Sequence, residues 1–130
     1  MTTGFGLSKI GQIAINVRDL PRAVKFYRDV LGMRYLFEAP PQMAFFDCGG
    51  IRLMLGVAEK SEFDHPASIL YYDVSDIGAA AAELKRRGVT FEAEPHLVAD
   101  LGTRELWLAF FRDTESNVLS LMSEVAKAAH

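Results

Sequence analysis

Gln12-Ile-Ala-Ile-Asn-Val-Arg-Asp-Leu-Pro-Arg-Ala23 and Ile69-Leu-Tyr-Tyr-Asp-Val-Ser-Asp-Ile-Gly-Ala-Ala80 are two versions of one segment, with Val17 over Val74, Asp19 over Asp76 and Ala23 over Ala80. In the first, Ile13, Ile15 and Val17 alternate with Gln12, Ala14 and Asn16, the period-two pattern of a strand with two different faces. Asp19 and Asp76 then stand where a helix needs a side-chain oxygen to cap its first free N–H groups. The echo continues downstream. Ala44-Phe-Phe-Asp47 followed by Ile51-Arg-Leu-Met-Leu55 is answered by Ala109-Phe-Phe-Arg112 followed by Val118-Leu-Ser-Leu121. Such a chain reads as a duplicated unit, and the cleft between two repeats is a natural place for a ligand.

Working outward, residues 20–31 read as a helix with Pro21 in its first turn and Gly32 just past its end. Ala23, Phe26, Tyr27, Val30 and Leu31 form its apolar side. Residues 34–38, 42–48 and 51–56 read as strands, the last two joined at Gly49-Gly50. The second copy repeats the plan: a strand over 69–74, a helix over 77–87 with Gly88 at its end, and strands near 90–95, 105–112 and 118–122. The fold class expected is α+β, two tandem β-α-β-β-β modules, residues 1–62 and 63–130, in one structural domain. The linker falls around Pro66, since proline and the residue before it resist either regular structure.

Composition narrows the function. The chain has 130 residues, half of them apolar, enough for one core. Its 14 basic and 17 acidic residues give a net charge of -3 with no basic run, which argues against nucleic acid. No apolar stretch approaches the ~18 residues of a membrane span. The opening Met1-Thr-Thr-Gly-Phe-Gly lacks the marks of a secretory signal, so a cytoplasmic location is expected. Cys48 is the single cysteine and reads as a buried structural thiol.

The paired modules, the Ile-x-Val-x-Asp-Leu…Ala…Phe-Tyr…Val-Leu-Gly-Met opening and the closing Phe-Phe-Arg-Asp-Thr-Glu-Ser-Asn-Val-Leu together resemble the vicinal oxygen chelate superfamily, which holds glyoxalases, bleomycin-resistance proteins and extradiol dioxygenases. The likeness runs from about Lys9 to Glu124, and Arg112-Asp113-Thr-Glu-Ser-Asn117 stands where the family usually carries Asp-Pro-x-Gly-Asn. It implies a strongly curved mixed sheet around a ligand cleft, and often a homodimer. Its enzymes hold a divalent metal through one residue of the opening and one of the closing strand of each module. The corresponding positions here are Gln12, Met54, Ile69 and Ser120. A hard ion needs carboxylates or imidazoles, so an amide, a thioether, an aliphatic and a hydroxyl make a poor set, and no metal or other cofactor is expected.

Strand parity assigns the cleft lining to Gln12, Ala14, Asn16, Arg52, Met54, Ile69, Tyr71, Asp73, Val118, Ser120 and Met122. Such a mostly apolar lining with a few polar groups suits a small organic ligand. Tyr71 can donate a hydrogen bond or stack; Arg52 can hold a carboxylate or phosphate, or pair with an acid such as Asp73. Trp107 reads as core, interface or stacking platform. Of the three histidines, His65 and His130 read as solvated, while His96, placed opposite Trp107, is with Tyr71 a candidate for catalysis. The expectation is thus a metal-independent small-molecule-binding protein, a homodimer with neither nucleic-acid nor membrane partners. The alternative is a metal-dependent lyase, isomerase or dioxygenase using Gln12 with non-standard ligands such as His96 or Glu105. Large apolar groups in 105–111 and on the outer module edges point to the dimer.

Overall fold

In a computed structural model that describes residues 5–58 and 64–127, the two copies build two four-stranded sheets of the same strand order. The first copy runs β1 (Gln12–Asn16), α1 (Leu20–Lys25), β2 (Arg34–Ala39), β3 (Met43–Cys48) and β4 (Ile51–Gly56). The second runs β5 (Leu70–Asp73), α2 (Ile77–Arg86), β6 (His96–Asp100), β7 (Arg104–Arg112) and β8 (Val118–Ala126). The sheets are ordered β1-β4-β3-β2 and β5-β8-β7-β6, and in each the opening strand lies parallel to the closing one while the other neighbours are antiparallel. The duplication reaches single hydrogen bonds. Val17 N–H donates to the Gly56 carbonyl and Val74 N–H to that of Met122, both at 2.9 Å. Asp19 accepts from Arg22 N–H at 3.2 Å and Asp76 from Ala79 N–H at 3.0 Å, so both helices carry the expected caps.

Three elements differ from the sequence reading. The first helix is α-helical only to Lys25 and continues as a π-turn, Phe26–Val30, in which Leu31 N–H reaches back to the Phe26 carbonyl at 3.0 Å. A wider turn of this kind leaves the hydrophobic period almost unchanged, so the pattern hides it. The strand expected over 90–95 is displaced to His96–Asp100. Phe91 makes only an isolated bridge to Phe111, their rings 5.2 Å apart, and the ladder resumes beyond Pro95, which has no N–H to give. The closing strand continues past Met122 to Ala126, paired along the whole of β7. The module boundary at 62/63 and His130 lie outside the described residues. Among the described residues no helix is long and apolar enough to cross a membrane.

One core serves both copies. Ile15, Phe46, Leu53 and Leu55 of the first sheet join Ala109, Phe111, Leu119 and Leu121 of the second, with Ala23, Val24, Tyr27, Ile77 and Ala81 from the helices. Because strand side chains alternate, this core leaves each sheet a second face turned away from the helices. The β7–β8 turn ties the modules together. Asp113, 7 % exposed, accepts from the Tyr27 hydroxyl at 2.7 Å, from the backbone N–H groups of Glu115 and Asn117 at 2.8 and 2.9 Å, and from the Asn117 amide at 3.0 Å. Glu115 in turn accepts from Arg18 and Asp19 N–H, each at 2.9 Å, at the start of α1. Burial first, then the charge and hydrogen bond of Asp113, push Tyr27 ionisation far above the ordinary tyrosine range. Ser116 adopts φ 65° where the resembling pattern has glycine, a left-handed conformation that costs an L-residue about 1–2 kcal/mol.

Candidate functional site: the open face of the first sheet

Register and parity lay this face out in three cross-strand rows. The first is Gln12, Arg52, Asp47 and Arg34; the second Ala14, Met54, Phe45 and Phe37; the third Asn16, Gly56, Met43 and Ala39. A bulge between Tyr35 and Phe37 keeps the β2 residues in step. The rows differ chemically: one is charged, the next apolar and aromatic, the last small and mixed. Gln12 joins the first two. Its carbonyl accepts from Arg52 Nε at 2.8 Å and its amide lies 3.9 Å from Met54 Sδ. The Arg52 guanidinium leans inward, its carbon 5.1 Å from the centre of the Phe45 ring, while the Phe37 ring packs 4.7 Å from Phe45 on the other side. Asp47 accepts from Gly50 N–H at 3.2 Å in the β3–β4 turn.

A cavity of about 290 Å³ opens over the second and third rows, lined by Ala14, Asn16, Met43, Met54 and Gly56 of the sheet, by Pro41, and by Val57, Ala58, His65 and Ala67 of the connection between modules. Asn16 donates to the His65 carbonyl at 3.2 Å, which draws that connection over the sheet. The lining carries no residue of the second sheet. His65, read as an idle linker histidine, is exposed but borders this cavity. The sequence reading also missed Met43 and Phe45, since apolar residues on both faces of β3 mask its alternation.

The second sheet presents its equivalent face differently. Ile69 and Tyr71 are 42 % and 46 % exposed, and Asp73 lies in one row with Met122, Leu108 and His96. Ser120 sits between Tyr71 and Phe110, whose rings meet edge-on at 6.1 Å; it is 0 % exposed, and its hydroxyl donates to the Leu121 carbonyl at 2.8 Å and lies 3.3 Å from that of Ala109. His96 pairs with Leu108, one residue from the expected Trp107, and its ring Nδ1 lies 3.0 Å from the Glu94 carbonyl. Trp107, read above as core, interface or stacking platform, packs on the core from the helix side. Arg52 does not pair with Asp73, because the two lie on different sheets and Gln12 takes Arg52 Nε. Cys48 is partly buried rather than buried, and burial together with Asp47 pushes its thiol up, away from reactivity.

The four positions that hold metal in the resembling enzymes fall as two pairs, Gln12 with Met54 on one sheet and Ile69 with Ser120 on the other. An amide bonded to arginine, a thioether, an aliphatic chain and a hydroxyl bonded to backbone carbonyls do not fit a divalent ion. Among the described residues no three His, Cys, Asp or Glu side chains come together as ligands. His96 and Glu105, the other ligands weighed, lie on opposite faces of the second sheet, whereas Gln12 belongs to the first.

The fold matches known proteins over nearly its full length. A Bacillus subtilis protein, uncharacterized protein YraH, is 29% identical over 126 residues, covering 87% of this chain and 96% of its own. Among solved structures, a lactoylglutathione lyase from Agrobacterium tumefaciens superposes with a TM-score of 0.73 at 21% identity, covering 91% of this chain and 95% of that one. A superfamily member from Sphaerobacter thermophilus gives 0.72 at 22% identity, with 90% and 98% covered. At these identities the structures speak for the fold alone. The family model for the glyoxalase/bleomycin resistance protein/dioxygenase superfamily matches residues 9–121, and the chain belongs to that superfamily.

Proposed function

We propose that this chain is a cytoplasmic small-molecule-binding protein that works without a divalent metal, holding an organic ligand against the open face of the first sheet. The observation that carries the reading is the donor set: three of the four metal positions offer a thioether, an aliphatic chain and a buried hydroxyl bonded to backbone carbonyls, and the fourth, Gln12, is engaged by Arg52. The cavity over Met54 and Met43 is mostly apolar with polar groups at its border, the usual pattern of a ligand pocket, and its 290 Å³ lies at the small end of the range.

A homodimer belongs to the same proposal. Leu36 and Phe37 on β2, Leu97 and Val98 on β6, Leu101 beyond it, and Ile69 and Tyr71 at β5 are all exposed. They lie on outer strands and open faces, whereas the apolar groups of 105–111 are largely covered by their own chain. A second copy laid over these faces would cover them and roof the ligand. Light scattering at micromolar concentration is expected to give twice the chain mass; a monomer would remove this part of the proposal.

The metal question is settled by calorimetric titration with Zn²⁺ or Ni²⁺ of protein prepared without affinity tag or chelator. The expected result is no saturable site near one ion per chain. Tight binding of about one ion, abolished by Gln12→Ala, would overturn the reading in favour of a metal-dependent lyase, isomerase or dioxygenase.

A further inference from the structure

From the charged row beside the cavity we infer that the ligand is an amphipathic monocarboxylate, its apolar body lying over Met54 and Met43 and its carboxylate held by Arg52. The inference rests on the proposal that the first open face is the binding site, and it adds the chemical class. Arg52 is exposed, and two contacts orient its guanidinium. Gln12 fixes its Nε at 2.8 Å, and the guanidinium leans over Phe45, the direct cross-strand neighbour of Met54, so it is aimed towards the apolar rows. With Nε occupied, the two terminal nitrogens remain as a forked edge. Among the described residues no carboxylate lies within ion-pair distance of Arg52, and that edge matches the two oxygens of a carboxylate.

Spacing and charge complete the argument. Rows on one face are two residues apart, roughly 7 Å at about 3.3 Å per strand residue, so a ligand body of one or two rings in the cavity reaches Arg52 with its end group. Across the row stand Arg52, Asp47 and Arg34, two cations and one anion, so the row carries a single net positive charge. That balances a monoanion. Asp47, directly opposite Arg52 in the ladder, disfavours a dianion such as a phosphate monoester. A fixed guanidinium thus supplies positive charge on the sheet that carries Gln12 and Met54, which lack the chemistry to hold an ion.

The test uses matched probes on the full chain: 2-naphthoate, its neutral isostere 2-naphthamide and the dianion 2-naphthyl phosphate, titrated by calorimetry and by displacement. We expect 2-naphthoate to bind at least about tenfold more tightly than 2-naphthamide, and Arg52→Gln to erase that preference while leaving amide affinity within about twofold. Arg52 is exposed, so a thermal melt unchanged within a few degrees should accompany the loss. Ala14→Trp, which fills the cavity from an exposed sheet position, should weaken both probes. If amide and carboxylate bind equally, or if the preference survives Arg52→Gln, the carboxylate inference falls and the pocket stands. Phosphate binding more tightly than naphthoate overturns the choice of a monoanion. Binding insensitive to Ala14→Trp, or no binding of any probe at millimolar concentration, overturns the pocket and the inference with it.

Discussion

Asp113→Ala is expected to lower the stability of the chain by about 3–5 kcal/mol, the scale on which removing one partner of a buried charged network destabilises proteins. Four hydrogen bonds end on this one carboxylate, and alanine leaves the Tyr27 hydroxyl, itself fully buried, without an acceptor inside the core. The loss also loosens the turn that presents Glu115 to the start of α1, so an intermodule contact weakens along with a local one. For a chain of this size that corresponds to a fall in melting temperature of roughly 10–20 °C. Tyr27→Phe removes one of the four bonds, leaves no orphaned donor, and should cost about 1–2 kcal/mol. Denaturant melts of the three proteins check the order. Equal stability of Asp113→Ala and the natural chain would show that the turn is not the strut described here.

How much of this was legible in the residues follows from what each pattern can encode. The duplication, both aspartate caps and the strand parity of Gln12, Asn16, Arg52 and Met54 all depend on local periodicity, and the structure returns them. The π-turn at Phe26–Val30 and the onset of β6 at His96 depend on one residue more or less in a turn, which the period barely registers. Tyr27 and Asp113 lie far apart in sequence, and no spacing rule brings them together; the sole hint was the Asp-x-x-x-Asn turn itself. The side of the sheet that Trp107 takes needs one fact the pattern does not supply, that Phe111 is core; counting from it in twos then places Trp107 on the same side. Arg52 was placed on the correct face with two readings open, and the pairing with Asp73 falls away because Gln12 lies beside it in the parallel ladder whereas Asp73 belongs to the other sheet.

Ser120→Glu is expected to destabilise the chain by at least about 3–5 kcal/mol, the cost of a buried charge without a partner, whereas Met54→Glu at the equivalent position of the first module should cost under about 1 kcal/mol. The two residues are twins by register: Met54 pairs with Ala14, and Ser120 with Tyr71, which occupies the place of Ala14 in the second copy. Ala14 leaves Met54 partly open over the cavity; Tyr71 and Phe110 close over Ser120 and take it to full burial. A glutamate there must either leave its charge among rings and backbone carbonyls or push both rings aside, and overpacking alone costs about 1–3 kcal/mol. Ser120→Ala, which removes a hydroxyl bonded only to backbone carbonyls, should be nearly neutral and serves as the control. The consequence bears on function. Grafting the combination Met54→Glu, Ile69→His and Ser120→Glu is expected to unfold the protein before it recruits an ion, because the second module has absorbed its closing-strand position into its packing. Measured in parallel by urea titration, a Ser120→Glu protein as stable as Met54→Glu would mean that the Tyr71–Phe110 cover opens freely and that both sheets remain available to a ligand.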